Sequence, residues 1–332
     1  MKLKNFRLGD NPGGVLNAID IIFVNYNSSQ LTLNAIDSIY AHLSGVSANI
    51  IVVDNASSDH PARICKQFPH VQLIINQRNL GYSKAINQAI EYSNGKYLVI
   101  MNPDTLVVNG FFTDVLQFMQ DNDHVGVVGP KILNKDGSVQ GSARRFPSIR
   151  TALFGRNSFL TKLFPNNPIT QSEFFCFRSN GNGFMNVDWV SGACMVLKRE
   201  AFESINGFDE RFFMYWEDTD LCKRMCQAGY GVVYYPNAQV VHFVGVSSDT
   251  RPMRSIFHFH QSSYKFFAKH TTGLGKLLLA PVAVLGLTVR CMLLMISRFV
   301  PLKNLNVSFK QKRLLKQKVY PASKPLSIKA GE

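Results

Sequence analysis

The first strand-to-helix turn of this chain, residues 25–29, contains no glycine, so the Gly-x-Gly-x-x-Gly fingerprint of a dinucleotide site is missing. There is no Gly-x-x-x-x-Gly-Lys-[Ser/Thr] phosphate loop and no Gly-x-Ser-x-Gly elbow. These absences argue against an ordinary dehydrogenase, a P-loop nucleotide hydrolase and a serine hydrolase. The six cysteines form no Cys-x-x-Cys pair. Cys222 and Cys226 lie one helical turn apart, which is poor zinc-ribbon spacing and a common core pattern. They read as reduced thiols in a cytosolic environment. Residues 1–10 have no apolar run of signal-peptide length. Acids are nearly absent from one region only. Residues 262–332 hold 13 Lys and Arg against one acid, most of the net charge of +14. The basicity therefore describes the partner of a tail and not of the body.

What is present is a chain of 332 residues, 46% hydrophobic, with 25 Phe. That is enough to bury a large core. After a polar lead-in over 1–17, apolar runs at residues 19–24, 49–53, 71–75 and 97–101 read as strands, with helical patterns between them. Strand and helix in alternation predict an α/β domain with a mainly parallel sheet. Further strands are expected at 126–130, 188–197, 231–236 and 240–243, a short helix at 199–205, and a loop-rich insertion over 140–187. Ligands of such sheets bind beyond the carboxyl ends of the strands. Polar clusters stand there at 25–27, 54–59 and 102–104.

Two further features have both an ordinary and a chemical reading. Glu217, Asp218 and Asp220 follow Tyr215 and Trp216 at the start of a helical pattern closed by Gly229. Acids suit any helix N-terminus, yet a carboxylate beside bulky apolar groups also suits proton abstraction. His242 ends an apolar strand, where a histidine is either a core residue or a ligand. Asn102-Pro-Asp104 is either a turn or a metal loop.

Taken in order, Ile22-Phe-Val-Asn-Tyr-Asn27, Val52-Val-Asp-Asn-Ala-Ser-Ser-Asp59, Asn79-Leu-Gly-Tyr-Ser-Lys-Ala-Ile-Asn87, Asn102-Pro-Asp104, Ser191-Gly-Ala-Cys-Met195, Gly207-Phe-Asp-Glu210, Trp216-Glu-Asp-Thr-Asp220 and His242-Phe-Val-Gly245 resemble a family 2 glycosyltransferase of the GT-A fold. They are close to the bacterial rhamnosyltransferases of cell-surface polysaccharide synthesis. The resemblance implies a mixed, mainly parallel sheet flanked by helices over 18–254. It implies an inverting transfer from a dTDP- or UDP-sugar, with Asp218 as base and Glu217 orienting the acceptor or the base. Asp104 and His242 are implied to contact Mg²⁺ or Mn²⁺, although Asn102 replaces the first acid of the more usual Asp-x-Asp. Asp54 and Asn55 are implied to read the nucleobase and ribose, with Asn25 and Tyr26 flanking them; Asn79 and Gly81 are implied to approach the nucleotide, and Lys84 to contact a phosphate. Trp189 and Gly192 are implied to line the donor-sugar pocket. Arg144 and Arg145 face either phosphates or solvent. Asp220 is expected to pair with Arg224 one turn on.

Residues 255–332 are expected to form a helical, membrane-associating extension. A helix is predicted over 255–270, followed by an apolar stretch over 277–297 and a basic run over 303–329. Arg290 interrupts the apolar stretch, which favours lying on the membrane over crossing it, with the arginine snorkelling to the interface. The expected partner is a polyprenyl-diphosphate-linked glycan at the cytoplasmic face of the bacterial inner membrane, with peripheral or monotopic attachment. No nucleic-acid recognition fold accompanies the basic run. The competing readings are a UDP-hexose-dependent enzyme of the same fold and a non-catalytic nucleotide-sugar-binding protein.

Overall fold

The computed structural model describes residues 19–148, 183–243 and 252–299. The lead-in, most of the 140–187 insertion, the Gly245 end of the last motif and the basic run fall outside them.

The first half forms as its apolar runs predict. β1 (Ile19–Asn25), β2 (Ala48–Asp54), β3 (Gln72–Ile75) and β4 (Tyr97–Met101) are joined by α1 (Ser29–His42), α2 (Arg63–Gln67) and α3 (Tyr82–Ile90). β1 and β4 are buried at every residue, as strands covered on both faces must be. β1 lies parallel between β2 and β4, in a register that sets Asn25 beside Asp54. Two elements without a sequence expectation follow, β5 (Thr105–Val107) and α4 (Phe111–Asp121).

The second half turns back into the same sheet. It supplies β6 (Val125–Leu133), β7 (Ala143–Arg144), β8 (Met185–Asn186), β9 (Trp189–Val190), β10 (Cys194–Lys198), α5 (Arg199–Ser204), α6 (Glu217–Gln227) and β11 (Gly231–His242). The sheet order is β3-β2-β1-β4-β10-β6-β11-β5, with β8 on β11 and a separate β7-β9 pair. β10 runs antiparallel between β4 and β6. Helices α1 and α4 cover one face, and α3, α5 and α6 the other.

Two expectations need correction. The strand expected over 188–197 breaks at 191–193, where the backbone turns to bond the site. The strands expected at 231–236 and 240–243 are one strand, β11, which absorbs Pro236 at a register shift between Tyr235 and Gln239.

Helices α7 (Pro252–His270) and α8 (Gly273–Phe299) close the described chain. α7 packs on the loop before α6. Ser262 Oγ donates to Met214 O at 2.9 Å, and Trp216 lies 5.3 Å from Phe266 between ring centres. α8 rests one side on α7 and leaves the other to solvent, with Leu277 71% and Leu285 66% exposed. It is long and apolar enough to cross a membrane, with mean hydropathy 2.2 over Gly273–Arg298. Arg290 does not project along that apolar surface. One of its guanidinium nitrogens lies 3.0 Å from His260 Nε2, and the group stands over the Phe259 ring at 5.7 Å. The charge that was expected to snorkel therefore faces α7.

One ion pair ties the sheet to the second half. Asp20 is fully buried. Its Oδ2 accepts from Arg199 at 2.8 Å and from Gly95 N at 2.5 Å. Its Oδ1 accepts from Asn49 at 3.2 Å. Removing Arg199 leaves a buried carboxylate without its counter-charge, which costs about 3 kcal/mol. Arg199→Ala should lower the Tm by roughly 6–12 °C. A thermal melt that moves by less than 2 °C would show that the pair does not hold the two halves together.

Candidate active site

At the carboxyl ends of β1 and β2 the polar side chains turn inward. Asn25, Asp54 and Asn55 are almost wholly buried. Asn25 Nδ2 donates to Asp54 Oδ1 at 2.7 Å, and Ser57 N donates to Asp54 Oδ2 at 3.0 Å. Asn55 Nδ2 donates to Gly81 O at 3.1 Å, and its Oδ1 accepts from Asn76 at 3.0 Å. Satisfied and enclosed in this way, these groups hold the loops in shape. Tyr26, by contrast, is half-exposed at the rim. Asp59 accepts from the Ser29 amide at 2.7 Å and from its hydroxyl at 2.8 Å, and so anchors the start of α1.

The Asn79 side chain accepts from Gly81 N at 2.9 Å. Gly81 has φ +89°, and a Cβ there would lie 2.7 Å from Phe213 O. Only glycine lets this turn press against the 212–213 loop. Tyr82 N donates to Phe213 O at 2.7 Å across the same contact. Lys84 is exposed and lies 3.5 Å from Glu210.

Asp104 and His242 come together although 138 positions separate them. The antiparallel pairing of β5 with β11 sets Thr105 opposite His242. Asp104 Oδ1 lies 3.2 Å from His242 Nε2, with both side chains largely buried. Gln140 holds the other ring nitrogen, His242 Nδ1, at 3.0 Å, and donates to His242 O at 2.8 Å. If Nδ1 carries the proton given to Gln140, Nε2 keeps its lone pair toward Asp104. A hydrogen bond to the far ring nitrogen of this kind orients a metal-binding histidine. One carboxylate and one imidazole fit a divalent cation that completes its shell with substrate oxygens.

Asp218 lies in the first turn of α6. Gly192 N donates to its Oδ2 at 3.0 Å, and Thr219 N donates to its Oδ1 at 2.7 Å. Burial pushes the carboxyl above the usual range, and the hydrogen bonds from Gly192 and Thr219 and the charge of Arg144 pull it partly back. Glu217 is buried, and its Oε2 has no hydrogen-bond partner among the described residues. Burial and then the neighbouring Asp218 charge push it up to about 8. Burial thus raises two acids that stand side by side, Glu217 to about 8. Residues 215 and 216 both have φ +67°, a strained entry for Tyr and Trp that leaves α6 without a side-chain N-cap. Trp189 lies to one side, its Nε1 donating to Arg145 O at 2.9 Å and its ring under the Arg144 guanidinium at 5.2 Å.

Asp220 does pair with Arg224, at 2.7 Å, but that pair is half of a larger clamp. Lys269 and His270 of α7 each reach Asp220 Oδ1 at 2.7 Å. Burial alone would raise the Asp220 carboxyl; hydrogen bonds from His270 and Lys269 and the charge of Arg224 outweigh it and hold it low.

Sequence reasoning missed Tyr82 and Gln140. The Tyr82 hydroxyl donates to Gly192 O at 3.4 Å. Burial first, then the charges of Glu217, Asp218 and Asp104, push it well above the ordinary tyrosine value, so it stays a donor. Its position after Gly81 was legible, but nothing local shows that it faces acids far along the chain. Gln140 lies in a stretch that carries no periodicity.

Residues 20–205 match the family model for glycosyl transferase family 2, and residues 174–246 match a model described as the N-terminal domain of galactosyltransferase. The N-acetylglucosaminyl-diphospho-decaprenol L-rhamnosyltransferase of Mycobacterium tuberculosis is 32% identical over 239 residues, 68% of this chain and 76% of that protein. The rhamnosyltransferase WbbL of Escherichia coli is 26% identical, over 66% of this chain and 82% of its own length. Among solved structures, the mannosyltransferase PcManGT of Pyrobaculum calidifontis, in complex with GDP-Man and Mn²⁺, superposes with a TM-score of 0.53 at 17% identity. It covers 91% of this chain and 84% of that one, a likeness of fold. With a strand–helix sheet of this order and a family match across more than half its length, the chain belongs to glycosyl transferase family 2.

Proposed function

We propose that the protein is an inverting glycosyltransferase that moves rhamnose from dTDP-rhamnose to a polyprenyl-diphosphate-linked glycan in cell-surface polysaccharide synthesis. One observation carries the reading. Gly192 N binds Asp218 at 3.0 Å, and the next carbonyl, Ala193 O, accepts from Asn102 N at 3.0 Å and from the Thr105 hydroxyl at 3.1 Å, the residues that flank Asp104; this supports a cation site and a base in one pocket. The rhamnosyl donor and the lipid-diphosphate acceptor are supported by the named activities of the mycobacterial and E. coli relatives.

Asp218 accepts the proton of the attacking acceptor hydroxyl. Gly192 N and Thr219 N fix its two oxygens, so the carboxylate is aimed before substrate arrives. Direct attack at the anomeric carbon inverts it and needs no covalent intermediate on the protein. Glu217, held neutral, donates a hydrogen bond to the acceptor and adds no second negative charge next to the base. A divalent cation, Mg²⁺ or Mn²⁺, held by Asp104 and His242 would neutralise the charge developing on the diphosphate leaving group. Tyr26, with the loops shaped by Asn25, Asp54, Asn55, Asn79 and Gly81, bounds the nucleotide side. Trp189 and Gly192 bound the sugar. Lys84 is paired with Glu210 and reaches a phosphate by leaving that partner.

The apolar face of α8 and the basic residues beyond it seat the protein on the cytoplasmic leaflet, where the acceptor is presented.

Purified protein with Mn²⁺ should transfer rhamnose from dTDP-rhamnose to N-acetylglucosaminyl-diphosphate-lipid. Asp218→Asn should cut that rate by about 10²–10⁴-fold while dTDP binding by calorimetry persists. Turnover of a UDP-hexose in place of dTDP-rhamnose would reassign the donor, and near wild-type transfer by Asp218→Asn would remove the base.

The pH profile has a definite sign. Transfer requires ionised Asp218, whose pKa is raised, so kcat/KM should fall with acidification already above the ordinary carboxylate range. Ionisation of Glu217 near pH 8 should end the plateau on the alkaline side. Glu217→Gln should keep the acid limb and lose the alkaline one; an unchanged bell would exclude Glu217 from the profile.

Deleting residues 272–332 should move the protein from the membrane pellet to the supernatant. It leaves α7 and its clamp on Asp220 intact, so continued sedimentation with membranes would locate the attachment elsewhere.

A further inference from the structure

Tyr215 and Trp216 both have φ +67°, in the left-handed region. A residue with a Cβ is rarely kept there, and two bulky ones in succession cost more than one. They form the entry to α6, whose first turn carries Glu217 and Asp218. No side chain caps that helix start. A backbone bond from Asp220 N to Trp216 O at 2.9 Å closes the first turn, so the conformation at 215–216 sets where α6 begins. A strained entry of this kind persists only when its surroundings hold it.

The surroundings here are α7. Every residue from Phe213 to Trp216 meets it. His258 stacks on Phe213 with ring centres 4.6 Å apart, and Ser262 Oγ donates to Met214 O. The Phe259 ring lies 5.8 Å from Tyr215 and 5.8 Å from Trp216, and Phe266 lies 5.3 Å from Trp216. Positions 258, 259, 262 and 266 are related by helical spacings of three and four, so one face of α7 grips the whole loop. Arg290 of α8 stands over the same Phe259 ring at 5.7 Å. Phe259 thus touches both left-handed residues and is itself held from α8.

We propose that Phe259 is a positioning residue for Asp218: pressed on Tyr215 and Trp216, its ring keeps the left-handed turn closed and so presents the carboxylate to Gly192 N. The ring contacts offset the backbone strain, and that strain opens the turn once the contacts are lost. Opening displaces the first residues of α6, while Asp220 further along stays clamped by Lys269 and His270. The effect is therefore confined to Glu217 and Asp218. Asp104 and His242 stand at the β5–β11 pairing and keep their places. This proposal rests on the reading of Asp218 as the base, given above.

The test uses the full chain and two substitutions, alone and together. Phe259→Ala should lower kcat about tenfold or more, because the base is no longer aimed, while the KM for the nucleotide-sugar stays within about twofold. Deuterium exchange at the Gly192 amide, followed by mass spectrometry, should speed up in the same variant. Adding Tyr215→Gly should then raise kcat by roughly threefold or more and slow the exchange again, because glycine adopts a positive φ unaided. A Phe259→Ala protein with unchanged kcat and exchange overturns the proposal. So does a loss that Tyr215→Gly does not relieve, which would make the ring a packing residue only. Tyr215→Gly alone should keep kcat within about twofold. A tenfold loss there also overturns the proposal, and this variant decides the matter if Phe259→Ala does not fold. Exchange needs no substrate, so it separates this inference from the reaction assigned above. Protection lost and regained in a protein that transfers no sugar would retain the hold on Asp218 and reject the transferase. Transfer and exchange both indifferent to Phe259 would do the reverse.

Discussion

Two consecutive peptide units, Gly192 and Ala193, hold both sides of the site. Gly192 N donates to Asp218, and Gly192 O accepts from Tyr82. Ala193 O accepts from Asn102 N at 3.0 Å and from the Thr105 hydroxyl at 3.1 Å, which fixes the loop carrying Asp104. These groups are available only because the strand is interrupted here. Had β9 continued into β10, the same N–H and C=O groups would pair with neighbouring strands. The break that defeated a simple strand reading is therefore what joins the Asp104 loop to Asp218. Gly192 is placed as closely as it needs to be, since a Cβ on it would touch Asp218 Cβ at 3.4 Å.

The electrostatics follow from the same closeness. Asp218 keeps hydrogen-bond donors and a nearby guanidinium, while Glu217, its immediate neighbour, has an enclosed oxygen with no donor. Burial raises both carboxyls, and at Asp218 the hydrogen bonds from Gly192 and Thr219 and the charge of Arg144 oppose that rise. Asp220, two positions further on, is held by Arg224, Lys269 and His270 and belongs to the framework. Three acids within four residues thus stand in three different environments, and no local sequence rule distinguishes them.

What could be read in the sequence was whatever a local pattern records. β1, β2 and β4 are continuous apolar runs because both faces are covered, and they were legible for that reason. The Asp220–Arg224 pair was legible as a helical spacing. β5 was not, being three residues long, and with it went any means of seeing that Asp104 would lie against His242. The resemblance to a known family proposed those two residues, but only the sheet pairing shows them meeting. Gln140, Tyr82 and the arrival of Lys269 and His270 at Asp220 depend on contacts between distant segments. Their sequence neighbourhoods carry no trace of them.

α7 joins the apolar helix α8 to α6 without slack. Its far end is clamped to Asp220, its middle bonds the loop that leads into Trp216, and only Thr271 and Thr272 separate it from α8. A tethered enzyme on a flexible linker gains local concentration and samples every orientation. Here the connection is too short and too well bonded for that freedom. Wherever α8 comes to rest, the bearing of the pocket is set with it, so attachment fixes direction as well as nearness.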